Sequence, residues 1–224
     1  MTAKLNILST RTLNSPQIEI FDANRFNLTA IDFITTSPIK FDIDTIKKSS
    51  KHWIISSKQT LKLILEHFTL SFLTSIHFYC VGQKTAQTIS DKGLNVIEIE
   101  NSSQNLSQVI VEKYNSTSFS FLCGLQRREE LPKSLKDNQI SFSEFNLYDT
   151  TLNSHKIEDH LDAIIFYSPS GVKSYVVENT INLEEIFCIG STTAAEAQKH
   201  STNINIATEQ TFESVLNYTK THFS

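Results

Sequence analysis

The chain has 224 residues, a formal net charge of −4, 39% hydrophobic and 20% charged residues. That is enough apolar material for one large domain or two modest ones of roughly 100–150 residues, and too much for a disordered chain. The acidic balance argues against a general nucleic-acid or membrane-surface binder, and no apolar run approaches the ~20 residues needed to span a bilayer.

Taken in chain order, apolar runs alternate with amphipathic stretches. The start runs directly into a strand pattern at residues 5–9 and not into an extended apolar leader, so no secretory signal is expected. A second strand is expected at 30–34, then a short apolar run at 53–56 before an amphipathic stretch at 59–68. Residues 77–81 read as a strand, and 84–92 as a helix stopped by Gly93. A strand at 95–99, a helix at 103–114, a strand at 119–123, a helix at 128–137 and a strand at 142–148 follow. The same order restarts: strand 163–167, helix 171–179, strand 186–189, helix 193–200, strand 204–207 and helix 212–222. Such alternation implies a mainly parallel sheet with helices on both faces.

One pattern occurs twice, as Tyr79-Cys80-Val81-Gly82-Gln83-Lys84-Thr85-Ala86 and Phe187-Cys188-Ile189-Gly190-Ser191-Thr192-Thr193-Ala194, 108 residues apart. A second pair, Ile54-Ile55-Ser56-Ser57 and Ile165-Phe166-Tyr167-Ser168, is 111 apart. Two related α/β halves account for both offsets. Three of the five glycines (Gly82, Gly124, Gly190) directly follow apolar strands. Helix N-termini at such turns present unpartnered N–H groups and suit anionic ligands. Open α/β sheets bind ligands at the carboxyl ends of their strands, though such turns take glycine whatever they bind.

No GxGxxG, GxxxxGK[ST] or GxSxG is present, and the seven histidines have no metal-ligand spacing. Cys80, Cys123 and Cys188 are odd in number, match no CxxC pattern and read as buried reduced thiols of a cytoplasmic protein.

The segment from Cys123-Gly124-Leu125-Gln126-Arg127-Arg128 to Asp137, with Phe145-Asn146-Leu147-Tyr148-Asp149-Thr150 after it, resembles the uroporphyrinogen-III synthase family. So do Val81-Gly82 through Thr85-Ala86, Phe166-Tyr167-Ser168-Pro169-Ser170-Gly171-Val172, Ile189 through Ala194, and the opening Leu8-Ser9-Thr10-Arg11. The resemblance implies an α/β fold of two lobes joined by a two-stranded connection, with an active cleft between them. Residues 1–35 and 152–224 would form one discontinuous lobe and 40–148 the other, with connectors near 35–41 and 146–152.

The implied reaction is cyclisation of hydroxymethylbilane to uroporphyrinogen III, with inversion of ring D and loss of water. The resemblance implies no cofactor, no metal, no nucleic-acid or membrane partner, a monomer, and a cytoplasmic location. Tyr148 matches the family's Tyr-x-Thr motif and would be the catalytic donor, or else a hinge tyrosine bonded to backbone. Ser57, Thr85, Ser168, Ser170, Gly171, Thr192 and Thr193 would bind substrate carboxylates, with helix capping the alternative for the hydroxyls. Arg11 and Arg128 would pair with substrate carboxylates or form surface ion pairs. Lys58 and Tyr167 depart from the family pattern, which carries proline or a small residue and threonine there. A non-catalytic two-lobed module that closes on an anionic small molecule is the competing reading.

Overall fold

The computed structural model describes residues 3–223. In chain order the elements are β1 (Leu5–Ser9), α1 (Ser15–Ile18), β2 (Phe26–Ala30), β3 (Ile34–Pro38), α2 (Ile43–Lys48), β4 (His52–Ile55), α3 (Lys58–His67) and α4 (Leu70–Leu73). Then come β5 (His77–Val81), α5 (Gln83–Ser90), β6 (Asn95–Glu100), α6 (Ser103–Lys113), β7 (Phe119–Gly124), α7 (Glu130–Asp137) and β8 (Phe142–Leu152). The last are β9 (Ala163–Phe166), α8 (Pro169–Glu178), β10 (Glu185–Cys188), α9 (Ser191–Ala197), β11 (Ile204–Ile206) and α10 (Phe212–His222).

These elements form two compact units, one of residues up to Thr35 with those from Thr151 onward, the other Thr36–Thr150. The first contains a sheet in the order β11-β10-β9-β1-β2, whose neighbours all run parallel. The second contains the order β3-β8-β7-β4-β5-β6, parallel from β8 to β6. The backbone bonds Ile39 N–H to Leu147 O and Asn153 N–H to Phe33 O show that β3 runs antiparallel to β8. The chain changes unit twice, both times inside this strand pair.

Strict alternation builds the cores. In the first unit Ile7, Ala163, Ile165 and Phe187 fill one face while Leu8, Ile164, Phe166, Ile186 and Cys188 fill the other. In the second, Trp53, Ile55, Phe78, Cys80 and Leu122 oppose Ile54, Tyr79, Phe121 and Cys123. Successive side chains of a strand point to opposite faces, so a strand covered on both sides must be apolar throughout. β9 is apolar and buried at every position, and β7 is buried throughout, its one polar side chain, Ser120, hydrogen-bonding Ser49 Oγ and Ser50 O.

The strand expected at 30–34 is displaced. Phe26–Ala30 pairs in register with Leu5–Ser9, alternating buried Phe26 with exposed Asn27 and Thr29. The chain then breaks at Asp32, which binds Arg11 and Thr12, before β3 begins. Three short helices carry too few residues for a readable period; each follows a capping side chain, from Asn14, Asp42 and Thr69. The helix expected from 128 starts at Glu130, after Arg127 is tied to Glu144 and Glu129. Among the described residues no helix is long and apolar enough to cross a membrane.

Cys80, Cys123 and Cys188 are free and buried, and burial pushes each thiol up to about 12. Their unfolded values lie near 8.5, so below that pH both states hold the protons and nothing is lost. As pH rises further the unfolded chain ionises first, and stability falls until the folded thiols titrate. Each thiol contributes a slope of up to ~1.4 kcal/mol per pH unit, about 4 for the three together. Urea unfolding followed from about pH 8 to 11 should show this decline, and replacing the three cysteines by alanine should flatten its onset below about pH 10, where tyrosines begin to ionise.

Candidate active site

Both sheets reverse their winding direction next to a central strand. In the first unit β1 leads outward to β2 while β9 leads the other way to β10 and β11; in the second, β7 leads to β8 while β4 leads to β5 and β6. The crevice beyond the carboxyl ends at such a reversal is where open α/β sheets bind ligands. In the second unit those ends carry Ser57 and Gly124, and in the first, Thr10, Arg11 and Ser168.

In the second unit Ser57 caps α3, its Oγ accepting from Thr60 N–H at 3.0 Å. The Tyr148 hydroxyl donates to the same Oγ at 3.1 Å, and Thr60 Oγ1 lies 2.8 Å from it. Tyr148 reaches this position from the middle of β8, where the register with β7 shifts between Cys123 and Gly124 so that Gly124 faces Tyr148. A Cβ on Gly124 would fall 2.6 Å from the tyrosine Cζ. The glycine at the end of β7 therefore makes room for the Tyr148 ring; its backbone is not in the left-handed region. Burial pushes the Tyr148 phenol up, and hydrogen bonding with Ser57 and Thr60 works against that.

In the first unit Ser168 stands 111 residues after Ser57 and caps α8 in the same way, accepting from Gly171 N–H at 3.1 Å. Glycine occupies the place of Thr60, and the space its missing side chain leaves borders Ser168 Oγ and Thr10 Oγ1 at 3.5 and 3.6 Å. Ser170 is half-buried between them in sequence. Ser9 Oγ donates to Arg11 O at 2.7 Å, so the Tyr167 hydroxyl, 3.0 Å away, is the donor to Ser9. Tyr167 stacks on Phe212 with ring centroids 4.3 Å apart. It thus braces the Thr10–Arg11 turn, and Arg11 pairs through Nε with Asp32 at 2.9 Å.

The second repeated pair gives Gly82 and Gly190, each at the N-cap of the next helix with no side-chain cap bond. Thr85 and Thr193 occupy the same position in α5 and α9 and are buried, whereas Thr192 is half-buried. Of the two glycines only Gly82 is left-handed, at φ +91°; Gly190 is extended and its α-carbon faces the Gln210 side chain.

The expected residues therefore divide. Tyr148 and Ser57 are in contact, and Ser168, Ser170 and Gly171 share one turn close to Thr10 and Arg11. Arg128 is exposed in the loop before α7, and the arginine engaged there is its neighbour Arg127, bonded to Glu144 at 2.8 Å. Thr60, Thr10 and Asp32 escaped the sequence reading. The 111-residue offset could have flagged Thr60, since it places a hydroxyl opposite Gly171. No cluster of three or more potential metal ligands occurs among the described residues.

The family model described as uroporphyrinogen-III synthase HemD matches residues 16–217. Among solved structures the chain is similar to uroporphyrinogen-III synthetase from Helicobacter pylori, with a TM-score of 0.72 and 17% identity over 97% of this chain and 99% of that one. It is also similar to a mutant uroporphyrinogen III synthase from Thermus thermophilus, with a TM-score of 0.66 and 11% identity over 98% of each chain. The wild-type enzyme from that organism gives a TM-score of 0.57 and 12% identity over 98% of each chain. No curated protein sequence matches the chain. Identities this low bear on fold alone, and the fold is shared.

Two substitutions separate the reasons for glycine. Gly82→Ala should lower the unfolding free energy by about 1–2 kcal/mol because a Cβ is disfavoured in the left-handed region, while Gly190→Ala, on extended backbone against a flexible exposed side chain, should cost clearly less in the same urea titration. Gly124→Ala forces the Tyr148 ring to move and should cost about 1–3 kcal/mol, the usual range for overpacking.

Proposed function

The chain belongs to the uroporphyrinogen-III synthase family, cyclising lyases of tetrapyrrole biosynthesis, and we propose that it converts hydroxymethylbilane to uroporphyrinogen III with Tyr148 as the acid that helps the terminal hydroxyl leave. The observation that carries this assignment is the Tyr148 phenol standing on the capping serine of α3, at the reversal of the second sheet. The carbon–oxygen bond of the hydroxymethyl group breaks with its electrons on oxygen, the phenol proton completes a water molecule, and the pyrrole nitrogens assist as the azafulvene forms. The proton released on ring closure restores the phenol. A phenolate formed there is favoured by the positive end of the ten-residue helix α3.

The substrate's eight carboxylates call for donors rather than apolar walls. The hydroxyls and N–H groups at the starts of α8 and α9 supply them through Ser168, Ser170, Gly171, Thr192 and Thr193, and Thr85 does so at α5. Arg11, held by Asp32 through Nε, keeps its two terminal nitrogens for a carboxylate. Arg128 is exposed and suited to the same task. With reactive groups only to be positioned, orientation of ring D is the main catalytic contribution. We read the protein as a monomer of a reducing, cytoplasmic compartment, in keeping with its three free thiols.

The decisive measurement is the ratio of type III to spontaneous type I uroporphyrinogen formed from hydroxymethylbilane; a product that is all type I would defeat the assignment and favour a binding module. Tyr148→Phe should lower turnover by about 10²-fold or less, the low end for a general acid, because the substrate also loses its hydroxyl unaided. Its product should stay mostly type III. KM should rise as ionic strength goes from about 0.01 to 0.15 M, where the screening length falls from roughly 30 to 8 Å.

A further inference from the structure

Counting protons around Ser57 fixes the direction of each hydrogen bond. Its Oγ has two lone pairs, and these are taken by the Thr60 N–H at 3.0 Å and the Tyr148 O–H at 3.1 Å. Its own proton must therefore go to Thr60 Oγ1, 2.8 Å away. Thr60 is fully buried, and no buried side-chain polar atom among the described residues lacks a partner. The three hydroxyls thus form a chain in which Tyr148 donates to Ser57 and Ser57 to Thr60.

We propose that Thr60 is a positioning residue for Tyr148 acting through Ser57: at rest it accepts the Ser57 proton, so that Ser57 accepts from the phenol, and when the phenol proton is given away it donates its own proton to Ser57 while the Ser57 proton turns onto the phenolate oxygen. This inference rests on the catalytic reading of Tyr148. When the proton leaves, the Ser57 proton turns to the charged oxygen and the Thr60 proton takes the lone pair of Ser57 that the phenol gave up, so a hydrogen bond to an anion replaces one donated by a neutral phenol. Hydrogen bonds to a charged group are roughly twice as strong as neutral ones. Ser57 stays anchored throughout by the Thr60 N–H, so only hydrogens move. The arrangement is confined to the second unit, since the position matching Thr60 in the first is Gly171, which has no hydroxyl. Gly124 completes it by leaving the phenol ring its place.

Thr60→Val keeps the shape and removes the hydroxyl; Thr60→Ser keeps the hydroxyl; Thr60→Ala tests the same loss should valine impair folding. Carbon-13 tyrosine NMR, with Tyr148 assigned from its loss in Tyr148→Phe, reads the ionisation of that phenol directly. The phenol should ionise at higher pH in Thr60→Val and Thr60→Ala and return towards the parent value in Thr60→Ser. An ionisation unchanged by loss of the hydroxyl overturns the proposal. In turnover, Thr60→Val should lower kcat about 3- to 10-fold, the worth of one hydrogen bond, with KM little changed, and should add nothing in a Tyr148→Phe background. A full further loss in that background overturns the positioning role. If Tyr148→Phe leaves turnover intact, the catalytic reading of Tyr148 fails, while the NMR arm still decides whether Thr60 acts on the phenol through Ser57.

Discussion

Both sheets are covered on both faces, and that single constraint leaves their strand ends as the places where polar chemistry meets solvent. Parallel strands such as Phe119–Gly124 and Ala163–Phe166 have no position for a functional side chain along their length, because each face is core. Hydroxyls, an arginine and a phenol are accordingly found where strands stop and helices start. Ser57 and Ser168 cap the helices that start there, and under the function we propose a cap can serve the substrate as well, so capping and function need not compete at these positions.

The two units apply the same local design to different ends. Matching serines cap α3 and α8 and accept from the third residue of the helix, but that residue is Thr60 in one and Gly171 in the other. Threonine adds a hydroxyl beside the serine on which Tyr148 arrives from β8, extending a chain of three hydroxyls. Glycine leaves the turn open beside Thr10, braced from below by Tyr167 on Ser9. The repeated turns have kept their serine caps and differ in the neighbouring side chain, a threonine hydroxyl in one and open space beside Thr10 in the other.

Charge is likewise local. The chain is acidic overall, and Arg11 and Arg127 are each balanced by carboxylates, Asp32 for the first and Glu144 with Glu129 for the second. The Arg11–Asp32 pair is half-exposed and adds little stability; what it does is hold the direction of the guanidinium. Under the function we propose, affinity for a polyanion would come from backbone N–H groups and hydroxyls, which attract carboxylates without raising the net charge.

Much of this was legible in the amino-acid order, for a physical reason. Period-two burial and helix caps are local properties, so His77–Val81 and Phe212–His222 lie where the pattern places them, and the 111-residue offset survives as two equivalent serine caps. The strand at Phe26–Ala30 was not legible, because its register is set by pairing with β1 and its apolar content continues past its end. Helices of four or six residues were missed because they have no period to read. At the site, residue types and turns could be read along the chain, but which groups touch could not. Tyr148 is 91 residues from Ser57 and 88 from Thr60, and only the placing of β8 beside β7, with Gly124 facing the ring, brings the three hydroxyls together.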